Sequence, residues 1–139
     1  MMVIFGAPVA YEDHSIRACY AALDMLKSVQ AEYERTGIAV RIGIHSGEVL
    51  MKPFYNDFSV DYEALGPTVY LAHRMEVLAS PNTAVISREA FHAAQKHIKV
   101  IDLGPVQVKG LDEPVEVYQL QSRVRQDDGH ESKLGDTPF

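Results

Sequence analysis

Tyr70 and Arg74 stand four residues apart in a stretch, residues 67–79, whose apolar positions recur at helical spacing. Thr68, Leu71, Ala72, Met75, Leu78 and Ala79 cover one broad face that can be buried. The phenol and the guanidinium fall together on another face, one turn apart. A guanidinium presented there could hold a phosphate through two parallel N–H bonds. It could equally be a solvated arginine whose stem lies over Tyr70. Spacing alone leaves both readings of Arg74 open.

Other chemistry is sparse. Histidines 14, 45, 73, 92, 97 and 130 are scattered, and His92 and His97, five apart, fall on different helical faces, so a histidine metal site is not expected. His45, at the end of a strand beside Gly47, reads as a hydrogen-bonded structural histidine. No glycine-rich phosphate loop, His-Glu-x-x-His zinc motif or nucleophile elbow occurs in the sequence. The single cysteine, Cys19, can form no intrachain disulfide and fits a reducing, cytoplasmic setting.

A formal net charge of −6 repels a polyanion, which argues against a nucleic-acid partner and against anionic membrane surfaces. No apolar run approaches the ~20 residues of a membrane-spanning helix. With 139 residues, 47% of them hydrophobic, the chain has room for one domain with a substantial core.

The elements that must position Tyr70 and Arg74 follow from periodicity. Residues 1–5 read as a buried strand without a polar lead, which suggests a chain cut just inside a domain. Ile16, Tyr20, Leu23, Leu26, Val29 and Tyr33 mark a helix over residues 13–35, with Glu12 and Asp13 at its positive end and Gly37 beyond its last turn. Alternation at Val40, Ile42 and Ile44 predicts a strand over 39–45, resuming at 49–51 after a turn at Ser46-Gly47; residues 52–62 read as a loop.

Gly66-Pro67 predicts the start of the helix that carries Tyr70 and Arg74, because proline at the first helical position loses no needed N–H. A short strand over 83–86 and a helix over 88–97, capped by Ser87, follow. Strands are predicted at 100–103, 106–108 and 115–120, the last two forming a hairpin, and the polar segment 121–139 reads as a flexible tail or linker. This order of elements predicts an α/β or α+β sandwich.

Several runs carry a resemblance. They are Phe5-Gly6-Ala7-Pro8 with Glu12-Asp13-His14, Val40-Arg41-Ile42-Gly43-Ile44-His45-Ser46-Gly47-Glu48-Val49, and Glu63-Ala64-Leu65-Gly66-Pro67-Thr68-Val69-Tyr70-Leu71-Ala72-His73-Arg74-Met75. Leu103-Gly104-Pro105-Val106, Val108-Lys109-Gly110 and Pro114-Val115-Glu116-Val117-Tyr118 complete the series in the same order. Together they resemble the class III adenylate/guanylate cyclase catalytic domain, in its bacterial form, over residues 1–120. The resemblance implies a ferredoxin-like class III nucleotidyl cyclase fold, here N-terminally truncated.

It also implies a homodimer that converts ATP, or GTP, to the 3',5'-cyclic monophosphate and pyrophosphate, with flanking regulatory domains. In that family two Mg2+ or Mn2+ ions sit on a pair of aspartates, and both positions would lie upstream of this chain, so no ion is expected on it. Arg74 falls on the family's transition-state arginine. Tyr70 falls where many active members carry a transition-state asparagine, and Glu63 falls on a position that reads the purine base. The implied function is that of a cyclase domain whose metal-side half is missing, inactive by itself. The alternative is a non-catalytic, cyclase-like dimerisation or nucleotide-sensing module.

Overall fold

The computed structural model describes residues 1–6, 13–48, 50–55 and 60–124. In chain order the elements are α1 (His14–Thr36), β1 (Arg41–Ile44), β2 (Leu50–Tyr55), β3 (Val60–Leu65), α2 (Pro67–Leu78), β4 (Thr83–Ser87), α3 (Arg88–Ala94), β5 (Ile98–Val106) and β6 (Val115–Arg123). Four strands form one sheet in the order β1-β4-β6-β5, and β2 and β3 form a separate two-stranded ribbon. β1 and β4 run parallel, while β6 is antiparallel to both β4 and β5. The fold is mixed α+β, as the pattern of elements predicts.

Helices cover both faces of the sheet. Successive side chains of a strand point to opposite faces, and β4 fills both. Ala84 and Ile86 pack with Cys19 and Ala22 of α1, Ala90 and Ala94 of α3, and Tyr118 and Leu120 of β6. Val85 packs the other way, with Met75 of α2, Ala79 and Val117. A strand buried on both sides needs a continuous apolar run, and Ala84-Val85-Ile86 supplies one at its centre.

The helix ends obey local chemistry. Gly37 takes the left-handed conformation at φ 71° and its N–H donates to the Tyr33 carbonyl, closing α1. At the other end the Arg17 guanidinium pairs with the Asp13 carboxylate at 3.0 Å. α2 begins where expected, with Gly66 at φ 116° followed by Pro67. No helix among the described residues is long and apolar enough to cross a membrane.

The structure corrects several expectations. Residues 1–5 form no strand; Met1, Met2 and Val3 are exposed, and no described strand pairs with them. An apolar run becomes a strand only where its backbone groups find a ladder. Of residues 52–62, read as a loop, 52–55 and 60–62 instead belong to β2 and β3, which pair in register from Leu50 opposite Leu65 to Tyr55 opposite Val60, and 56–59 lie outside the described residues. The residues from Leu50 onward therefore belong to this ribbon and do not resume β1. Lys52 and Pro53 obscure its alternation, and proline is tolerated because each strand of a two-stranded ribbon is an edge.

Residues 100–103 and 106–108, read as two strands, are replaced by the single strand β5, which ends at Val106 and shifts register between Asp102 and Gly104; residues 107–108 are not strand. Gly104 sits at φ 79° and absorbs the irregularity. α3 ends at Ala94, short of the predicted residue 97. β6 runs on to Arg123, paired with Ile98, so residues 121–123 are strand and not tail. The rest of the predicted tail, residues 125–139, lies outside the described residues.

Candidate active site

α2 is set on the sheet by an approach too close for any side chain on β1. A Cβ at Gly43 would collide with the backbone nitrogen of Glu76 and the carbonyl oxygen of Ala72. With Met75 only 1% exposed beneath it, the helix has one possible roll, and that roll turns Tyr70 outward.

Tyr70 is 40% exposed. Its hydroxyl donates to the Lys109 carbonyl at 2.6 Å, in the turn between β5 and β6. Gly110, at φ 94°, lies under the ring: a Cβ there would come within 3.3 Å of the phenol oxygen. The turn therefore closes on Tyr70, and the phenol's one donor is committed to the backbone.

Arg74, one turn further on, is half-buried. Its Nε is buried and meets no hydrogen-bond acceptor among the described residues. A donor attached to a permanent cation and left desolvated costs free energy. A solvated surface arginine would not carry that cost. The arrangement suits a ligand that brings its own anionic oxygens.

Glu63 lies on β3, with Lys52 as its register partner on β2. β3 abuts α2, so the backbone places Glu63 on the element next to the helix of Tyr70 and Arg74. Its side chain is outside the described ones. No three His, Cys, Asp or Glu side chains among the described residues come together to hold a metal ion. A magnesium or manganese ion thus does not fit these residues by themselves.

A second cluster escaped the sequence reading only in the pairing of its members. The His45 side chain is 7% exposed and its Nδ1 lies 2.8 Å from the Ser87 hydroxyl oxygen. That oxygen also accepts the Ala90 N–H and so caps α3. Burial lowers the His45 pKa from its ordinary 6.5, with the Glu89 carboxylate opposing the shift from 3.9 Å. The capping serine and the structural histidine were each legible alone; their pairing, across 42 residues, left no local signal. Burial pushes the Cys19 thiol up to about 11, which makes it a core residue and a poor nucleophile.

Comparison with known proteins identifies the family. Residues 1–122 match the family described as the adenylate and guanylate cyclase catalytic domain. The chain is 33% identical over 125 residues to the human guanylate cyclase soluble subunit beta-2, covering 87% of this chain and 20% of that one. It is 28% identical to adenylate cyclase 1 of Rhizobium meliloti (strain 1021), covering 90% of this chain and 20% of that one. Among solved structures it superposes on the guanylate cyclase domain of RhGC from Catenaria anguillulae, in complex with GTP, with a TM-score of 0.75 and 28% identity. The adenylyl cyclase CyaB of P. aeruginosa gives 0.72 and 28%. These alignments cover 86% and 85% of this chain, and 65% of each solved chain. The chain thus spans about a fifth of the curated relatives' length and just under two thirds of the solved domains. With the matched segment running through both sheet faces and the helix of Arg74, the chain belongs to the adenylate/guanylate cyclase catalytic domain family.

Proposed function

We propose that this domain supplies the arginine side of a nucleotidyl cyclase site that converts ATP to 3',5'-cyclic AMP and pyrophosphate. The observation that carries the reading is the buried Nε of Arg74 on α2, which meets no hydrogen-bond acceptor among the described residues. In the reaction the ribose 3'-oxygen, losing its proton, bonds to the α-phosphorus as the bond to the β-phosphate oxygen breaks. Charge grows on the phosphoryl oxygens during that exchange. A cation fixed in advance and poorly solvated stabilises such charge more than water does.

Glu63 is the proposed base-reading residue, because a carboxylate accepts from the adenine amino group and has nothing to donate to a guanine carbonyl. The metal carboxylates would come from outside the described residues, and a second copy of the domain would complete the site as a homodimer. A cytoplasmic setting suits an ATP-consuming domain with one reduced cysteine. Flanking regulatory domains fit a chain that spans a fifth of its relatives.

The test is cyclic nucleotide formation from ATP and from GTP, read by mass spectrometry, in a longer form of the domain that includes a pair of metal-binding aspartates upstream of these residues. Cyclic AMP that disappears in Arg74→Ala supports the reading. Predominant cyclic GMP would reassign the substrate, and no product from either nucleotide would overturn the catalytic role. In that case a second reading takes over, that of a non-catalytic nucleotide-sensing or dimerisation module. It is favoured by the Tyr70 hydroxyl, which is spent on the Lys109 carbonyl, at a position where the resemblance implies that many active members carry an asparagine. ATP binding without turnover, measured by titration calorimetry, would support it.

A further inference from the structure

The first turn of α2 is weakly held by its own hydrogen bonds. Gly66 offers no side chain to cap it, and the Tyr70 N–H reaches the Gly66 carbonyl only at 3.5 Å. The compensating contact comes from outside the helix: the Thr68 hydroxyl donates to the Glu48 carbonyl at 2.5 Å. Gly47 sits against the same hydroxyl, and a Cβ there would come within 2.8 Å of Thr68 Oγ1.

Residues 45–48, which follow β1, are themselves anchored at the other end. His45 is fixed to Ser87 at the start of α3. Ser46 meets the buried Ser15 of α1 at 3.4 Å. One four-residue loop therefore has fixed points on three helices, and one of these is the turn that launches α2. Arg74 lies six residues beyond Thr68, about 9 Å along the axis at ~1.5 Å rise per residue. Because a helix moves as a rod, a tilt at Thr68 becomes a displacement of the guanidinium, and a misplacement of about 1 Å can cost roughly 100-fold in rate.

We propose that His45 and Thr68 are positioning residues: His45, anchored on Ser87, holds the 45–48 loop so that the Glu48 carbonyl seats the first turn of α2 and aims Arg74. The catalytic consequence rests on the reading of Arg74 given above. His45 itself is buried and turned to Ser87, and takes no part in the chemistry.

Two readouts test this. In the 139-residue chain, amide hydrogen exchange at Val69 and Tyr70 should quicken about five- to tenfold in Thr68→Val and in His45→Ala, the effect of losing one hydrogen bond. Thr68→Ser, which keeps the donor, should exchange like the wild type, and Thr68→Val should leave the β4–β6 amides unchanged. Exchange at wild-type rates in Thr68→Val, or an acceleration spread evenly through the sheet, would overturn the seating role.

In the assembly that makes cyclic nucleotide, Thr68→Val should lower kcat about tenfold with KM for ATP within about twofold, and Thr68→Ser should restore it. Altered exchange with unchanged kcat would overturn the aiming of Arg74. If the wild type makes no product while exchange responds as expected, the catalytic reading fails and the seating stands. If turnover is present and Thr68→Val changes neither readout, the relay fails and the function stands.

Discussion

Gly43 of β1 and Glu76 of α2 are in backbone contact, with the Glu76 Cα only 2.8 Å from where a Gly43 Cβ would stand. The strand and the helix meet there without an intervening side chain. That closeness sets the height of α2 above the sheet and so the reach of Tyr70 and Arg74.

Gly43→Ala should therefore destabilise the fold by about 3 kcal/mol or more, since the added methyl meets backbone and not a movable side-chain tip. Urea unfolding followed by circular dichroism checks it. Gly37→Ala is the contrasting case: nothing lies within 4 Å of its Cβ, and only the left-handed φ of 71° resists substitution. Its cost should be about 1 kcal/mol.

Arg74→Ala should leave stability unchanged or raise it slightly, because it removes a desolvated donor that nothing among the described residues satisfies. In the active assembly the same change should lower the rate by about 10- to 1,000-fold, the usual cost of one transition-state donor. Thermal unfolding and turnover measured on the same preparation separate the two effects. A structural arginine would show the opposite pattern, with stability lost and the rate retained.

Tyr70→Phe removes the donor to the Lys109 carbonyl while keeping the ring against Gly110. For a partly exposed bond the loss should be about 0.5–1.5 kcal/mol. Tyr70→Asn gives up more packing but restores an amide beside Arg74. Its turnover in the longer chain should rise above that of the wild type, and a fall would show that the tyrosine is the better residue in this site.

Stability should depend on pH through His45. Its folded pKa is depressed by burial, so the unfolded chain takes up the proton at higher pH than the folded one does. The unfolded state then binds more protons in this window, and stability rises with pH across it. The contribution is present above the ordinary value of 6.5 and is lost as pH falls toward the folded value. Urea midpoints should drop as pH falls through and below the ordinary value of 6.5 in the wild type and change less in His45→Gln. Glu89→Gln, which removes the opposing carboxylate, should steepen the drop.

What the sequence determined by itself is local or periodic. Gly66-Pro67 marked the start of α2, Gly37 the end of α1, and Ser87 the cap of α3, because each acts on backbone within a few residues. The order of motifs from Phe5 to Tyr118 carried the family, and the spacing of four placed Tyr70 and Arg74 on one face of a helix. Tertiary structure decided the rest. Whether the apolar residues 1–5 form a strand depends on a partner that periodicity does not name, and the β2–β3 ribbon is defined by cross-strand pairing that local sequence does not announce. The bond from Tyr70 to Lys109 joins residues 39 apart and that from His45 to Ser87 residues 42 apart. Spacing alone favoured a solvated Arg74 over a phosphate ligand, and it gave no sign that the Nε would be buried. That burial is a property of tertiary packing, because desolvation arises only when distant segments close over a group that the local sequence leaves open to water.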